Sequence, residues 1–493
     1  MKMLKKLRVF AASLAIASLV ACQQVENPAT GETELSTVSL EQEREMGREA
    51  HPQILAQFGG EYQDPQLQGY VRQIGMRLAR GAELPAEQFT FTLLDSPVVN
   101  AFAVPGGYVY VTRGMLAILN TEAELAGVMG HEIGHVTARH SAQQQKQGLF
   151  ANLAVLGAAI LTGSGDIARV GQVAAQGYMA SHSRSDERQA DSLGIRYLSR
   201  AGYDPMAMAG GLRALQRHSE LIAAMSGREL QQVSFFSTHP HTPERIAATV
   251  DEARGVSVSD PEVGRDAYLD AIDGMIYGDS PSQGFARGNT FAHPELRFSF
   301  QVPEGFSLDN LPQAVVASSR DGSRRIIFDQ EPDRSVASRQ GGMDAYIANH
   351  WGEGAQLSGL KRITIDGMPA ATAVAPVTAN NQPYAARLVA IRFDENRIYR
   401  FVFLAPRNDS RALSSIFERT AGSFERLSAS QARQLQPLRL QVVTVDRNDT
   451  VSSLSSSADA QGFAEQRFRV LNDLGGEDGL RAGRRVKVVR VGG

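Results

Sequence analysis

The chain has 493 residues, 43% of them hydrophobic and 21% charged, a balance that excludes a disordered or fibrous protein. This length exceeds one ordinary core, so two or three domains are expected. A formal net charge of -3 gives no electrostatic ground for nucleic-acid binding, and a single cysteine excludes intrachain disulfides.

At the start, Lys2, Lys5, Lys6 and Arg8 precede an apolar, acid-free run from Val9 to Ala21. That is the layout of a secretory signal, too short for an ordinary membrane span. The run ends Leu19-Val20-Ala21-Cys22, which resembles the lipobox of bacterial lipoproteins. The resemblance implies that residues 1–22 are a lipoprotein signal and that acylated Cys22 becomes the first mature residue and the membrane anchor. Gln23 after it implies the periplasmic side of a Gram-negative outer membrane.

A polar tether from Gln23 to Glu34 leads into a mainly helical region reaching about residue 275. Asp64-Pro65 marks a helix start, and Leu67, Val71, Ile74 and Leu78 form its apolar stripe. Phe89–Leu93 reads as a strand, and Ala101–Thr112 as an extended segment broken by Pro105-Gly106-Gly107. Thr121-Glu122-Ala123-Glu124 starts a helix that continues through Arg139. The apolar run Leu149–Leu161 is too short to cross a bilayer and is expected to form a buried helix or a lid over a cleft. Another helix runs from Ser185 to Arg200, stops at Gly202 and restarts at Asp204-Pro205.

From residue 283 the pattern changes. Leu296–Val302 alternates apolar and polar, as do Arg362–Ile365 and Tyr399–Phe403, with helical candidates at Gly342–His350 and Ser410–Phe424. An α+β domain with an antiparallel sheet is expected over 283–430, loosely similar to PsbP/Mog1-like domains. Ser428–Gln436 reads as a linker. The last segment, 438–493, resembles a LysM module through Val443-Thr444-Val445, Asp449-Thr450-Val451, Leu471-Asn472 and Val486. That likeness implies peptidoglycan as a partner; a small structural cap is the alternative.

The chemistry-bearing string is His131-Glu132-Ile133-Gly134-His135. Residues four apart share one helical face, so both histidines can present a ring nitrogen to one metal. Glu132, offset by about 100°, can reach a water on that metal without ligating it. Catalytic zinc takes three protein ligands. Downstream candidates for the third are Glu187, His140 and His182. Glu187 and Asp191 lie four apart, so Glu187 can ligate while Asp191 accepts the free N–H of a ligating histidine.

The ordered strings Asn100-Ala101-Phe102-Ala103-Val104-Pro105-Gly106-Gly107, HEIGH, Glu187–Asp191 and Ser237-Thr238-His239-Pro240 resemble the HtpX-like and CAAX-prenyl-protease-like zinc metallopeptidases (metallopeptidase family 48), in their periplasmic, BepA-like branch. The resemblance covers roughly residues 25–250. It implies a mainly α, zincin-like domain with a small edge sheet over residues 23–282. One Zn2+ per chain would be held by His131, His135 and Glu187, with Glu132 as general base. His239 matches a histidine that approaches the metal in latent members, and Arg245 a position that stabilises the transition state. Asn100–Ala103 would offer an edge strand to extended polypeptide substrates. The implied activity is endopeptidase cleavage of unfolded or misassembled envelope proteins. Two rivals stand beside it: an envelope assembly or chaperone-like factor with a latent zinc site, and a cell-wall enzyme.

Overall fold

The computed structural model describes residues 23–36, 38–141, 182–226, 235, 239, 243–338, 341–379, 382–455, 463–475 and 480–492. Cys22 and the apolar run Leu149–Leu161 lie outside the described residues. No described helix is long and apolar enough to cross a membrane.

Residues up to about 275 build a helical unit around a three-stranded sheet. Helix Pro65–Ala79 begins where Asp64 accepts hydrogen bonds from the backbone of Gln66 and Leu67, with Pro65 at its first position. Its stripe of Leu67, Val71, Ile74 and Leu78 is buried in the main core, as the apolar spacing requires. Strand Thr90–Leu94 runs parallel to Tyr108–Thr112, which pairs antiparallel with Ala101–Val104. The order leaves Ala101–Val104 at the sheet edge. Its turn back, Pro105-Gly106-Gly107, needs both glycines. Each has φ above +80°, and a Cβ on Gly106 would meet the backbone of Arg44.

Two helices form the centre of this unit. Glu122–Thr137 starts where the Thr121 hydroxyl accepts from the Glu124 backbone. It ends two residues earlier than the sequence suggests, because Arg139 takes a left-handed conformation with φ 58°. Arg184–Arg200 starts at a reciprocal capping box between Ser183 and Asp186. The two helices pack closely because their contact is built from small residues. A Cβ on Gly134 would lie 3.0 Å from the Ala190 carbonyl, and one on Gly194 would lie 3.0 Å from the His131 nitrogen.

Residues 285–426 form a separate sheet unit. Seven antiparallel strands lie in the order Phe306–Leu311, Ala314–Ser319, Arg325–Gln330, Arg397–Pro406, Gln382–Asp394, Met368–Ala379 and Ser358–Ile365. Alternation along Arg397–Pro406 gives both faces something to bury. Tyr399, Phe401 and Phe403 enter an aromatic core under helix Ser410–Gly422, while Ile398, Val402 and Leu404 pack on Met343, Tyr346 and Ile347. The helical candidate at 342–350 is a single α-turn, Met343–Tyr346, followed by a π-turn, Ile347–Trp351.

The stretch read as a linker contains a short helix, Ala429–Gln434, capped by Ser428. The C-terminal segment has the order strand, helix, helix, strand: Leu438–Thr444, Val451–Ser455, Ala464–Leu471 and Arg485–Val491. Its two strands pair antiparallel, and the first also pairs with Ile276–Tyr277 of the helical unit. Leu440, Leu471 and Val489 share the main core of that unit. The buried Lys487 ammonium donates to the Ala117 and Leu119 carbonyls, 2.8 and 2.5 Å away.

Candidate metal centre

His131 and His135 lie one turn apart on helix Glu122–Thr137, with their Nε2 atoms 2.9 Å from each other. The close crossing of helix Arg184–Arg200 brings Glu187 to the same point. Its carboxylate lies 3.4 Å from His135 Nε2 and 3.5 Å from His131 Nε2. His239 enters from another segment, with Nδ1 3.0 Å from Glu187 and 3.4 Å from His131 Nε2. One ligand atom from each of these four residues lies within 4.8 Å of every other, and all four are buried.

This donor set fits zinc. Asp191 accepts from His131 Nδ1 at 2.8 Å, which leaves the Nε2 of a neutral His131 as a bare lone pair directed at Glu187 and His135. Imidazole nitrogens and a carboxylate are donor types that zinc takes. His131, His135 and Glu187 would hold it, and His239 offers a fourth donor.

The surrounding charges explain the titration of the cluster. Burial opposes ionisation of Glu187, but His239, His135 and Arg245 hold its carboxyl well below the ordinary value. Asp191 is likewise held low against burial by Arg245, whose Nε and Nη2 grip it at 2.6 and 2.7 Å. The Arg245 Nη1 also reaches Glu187 at 2.5 Å. His135 is pushed well below its ordinary value by burial and by His182 and His131.

Glu132 sits apart from these ligands. Burial pushes its carboxyl up, and it accepts a hydrogen bond from the Ala103 backbone N–H. One oxygen lies 3.8 Å from His239 Nε2. The strand Ala101–Val104 therefore touches the site through its unpaired edge. Phe102 turns the other way, stacking on Tyr110 and packing against Phe58, and Asn100 is buried with its N–H on Thr112.

The structure thus brings together His131, Glu132, His135, Glu187, Asp191, His239, Arg245 and the Asn100–Ala103 strand. Two further histidines join them. His182 stacks on His135 with ring centroids 3.9 Å apart, and its pKa falls to about 3 through burial and the neighbouring His239. His140 Nδ1 lies 2.8 Å from His135 Nδ1. The spacing of five residues conceals that contact, since an uninterrupted helix would direct the two side chains to different faces.

Residues 65–253 match the description of Peptidase family M48. The Beta-barrel assembly-enhancing protease of Escherichia coli is 32% identical over 252 residues, covering 49% of this chain and 50% of that protein. Metalloprotease YcaL of Escherichia coli is 31% identical over 183 residues, 35% of this chain and 66% of that one. A cyanobacterial PsbP from Synechocystis is similar over 29% of this chain and 95% of its own, at 13% identity and a TM-score of 0.23, too slight a likeness to assign any part of the fold. The chain spans about half the length of the assembly-enhancing proteases it matches.

Proposed function

Residues 65–253 belong to peptidase family M48, and from that premise we propose that the chain is a zinc-dependent metalloendopeptidase acting on unfolded or misassembled polypeptides of the cell envelope. The observation that carries the proposal is the meeting of four buried metal donors with Glu132 beside them but outside the donor set.

A zinc ion held by His131, His135 and Glu187 would supply Lewis acidity and a water acidified toward neutrality. Glu132 takes the proton of the attacking water and returns it to the leaving amine. Its upward-shifted pKa brings it nearer the proton it must accept. Asp191 fixes the tautomer of His131, and Arg245 holds Asp191 and Glu187 in register while adding positive charge for the oxyanion that develops on the scissile carbonyl. Strand Ala101–Val104 pairs with an extended substrate through backbone hydrogen bonds, which read conformation more than sequence. That suits unfolded clients, and the assembly-enhancing role in the relatives' name points the same way.

A second reading has its own support. His239 completes a fourth donor position, so the site of a latent enzyme would be closed to water, and the chain would act in envelope assembly without turnover. Localisation is part of the proposal: acylated Cys22 anchors the chain at the periplasmic side of the outer membrane, with residues 438–493 as a LysM-like contact to peptidoglycan.

The deciding experiment measures zinc content and casein cleavage for the parent and for Glu132→Gln. We expect about one zinc in both and cleavage by the parent alone, lower by roughly 10²–10⁴-fold in the variant. Zinc in both with cleavage in neither favours latency, and His239→Ala should then release activity. Absence of zinc from both proteins would overturn the metal reading.

A further inference from the structure

We propose that His140 is a positioning residue for the metal ligand His135, installed by a left-handed turn that the N-terminal segment locks. The inference rests on the metal-site reading above and extends it to residues that touch no ligand position.

The hydrogen bonds define the direction of a relay. His140 Nε2 lies 3.0 Å from Gln189 Oε1. An amide oxygen only accepts, so Nε2 carries the proton and His140 Nδ1 is an acceptor. The 2.8 Å contact between the two Nδ1 atoms is then a donation from His135 to His140. His135 is left with a bare Nε2 directed at Glu187 and His131, the form a metal requires. The two ligand histidines are thus oriented differently. His131 leans on the anionic Asp191, whereas His135 leans on a neutral histidine–glutamine chain.

What places His140 there is the end of the helix. Continued α-helix would rotate residue 140 about 140° away from residue 135. Instead Arg139 adopts φ 58°, a left-handed conformation that non-glycine residues seldom take. It is held by contacts from far along the chain. The buried Arg139 guanidinium donates to Glu43 and to the Val38 carbonyl, at 2.9 and 2.8 Å. Asn27 Nδ2 donates to the Ala138 carbonyl, and the Ala29 N–H donates to that of Thr137. Residues 27–43 therefore clamp the turn that returns His140 over His135.

The test is zinc affinity of the purified, metal-stripped chain, measured by competition with a chromogenic chelator, with the visible absorption of the cobalt(II) form as a second readout. His140→Ala should bind zinc about 10–100-fold more weakly and shift the cobalt bands. His140→Asn, whose side-chain oxygen can stand where Nδ1 stands, should recover most of the affinity and the parent spectrum. Parent-like affinity and spectrum in His140→Ala, or an Asn variant as weak as the Ala variant, would overturn the proposal. If His140→Ala fails to fold, Gln189→Leu at its half-buried position decides: weaker zinc binding supports the relay and unchanged binding overturns it. A parent that binds no zinc would fail the metal reading itself, a result distinguishable from failure of the relay alone.

Discussion

The helical unit and the seven-stranded sheet unit both exclude water from large interiors, but they place different chemistry there. At the candidate metal centre the buried side chains are His131, Glu132, His135, Glu187, Asp191, His239 and Arg245, joined into one network by hydrogen bonds and ion pairs. In the sheet unit the interior is Phe291, Phe298, Phe300, Phe328, Phe401 and Phe424, which touch ring against ring. Burying charge is costly unless partners compensate, and replacing such networks by apolar groups is often neutral or stabilising. The first interior therefore reads as one kept for chemistry, the second as one kept for stability. The sheet unit has a smaller buried exception, Arg400 gripping Asp329 at 2.6 Å and Glu331 at 3.1 Å, but no metal-ligand geometry accompanies it among the described residues.

That contrast can be broken by substitution. Phe328 packs against six aromatic rings, so Phe328→Ala should destabilise the sheet unit by about 3–5 kcal/mol, read as a lower thermal transition. Zinc content should be unchanged in the folded protein, and a parallel loss of zinc would show that the interiors are coupled. Asp191→Asn should act in the opposite sense. It weakens both the Arg245 pair and the orientation of His131, so zinc affinity should fall about 10–100-fold. A variant that binds zinc as tightly as the parent would remove Asp191 from the site.

The smallest effect sharpens the comparison where the C-terminal segment meets the helical unit. Burial lowers the Lys487 pKa from 10.5 to about 7, with Glu124 opposing the shift. Between those values the unfolded chain carries a proton that the folded chain has lost, so stability should rise with pH through that window. Below about pH 7 both states are protonated and the dependence ends. The slope should be about 1.4 kcal/mol per pH unit at most. Urea midpoints at pH 7 and 8 should therefore differ more for the parent than for Lys487→Met. Equal differences would mean that Lys487 keeps its ordinary pKa in the fold.

Much of the site was legible before the fold was known. The helical spacing of His131 and His135 needs only the α-helix period to place both rings on one face, and the same holds for Glu187 and Asp191. The apolar stripe of helix Pro65–Ala79 and the alternation of Tyr399–Phe403 were legible for the same reason, since burial on one side imposes a period. Several local expectations shifted. Thr137 rather than Arg139 ends the metal helix, and a capped helix at Ala429–Gln434 replaces part of the linker. In both places side-chain hydrogen bonds outweighed the composition of the stretch.

Local periodicity, then, determined the elements and the pairing of the two histidines of the candidate metal site, because backbone geometry acts over three or four residues. The family resemblance singled out Glu187 among the candidates and added His239 and Arg245. Only the tertiary structure decided which distant groups meet them. Gly134 and Gly194 look unremarkable in sequence, yet the lack of a Cβ at each lets two helices approach closely enough for Glu187 to reach His135. His140 reaches His135 because Arg139 is held left-handed by Glu43, 96 residues away. A contact of that kind leaves no period in the chain, since it depends on the packing of segments whose order in sequence carries no distance.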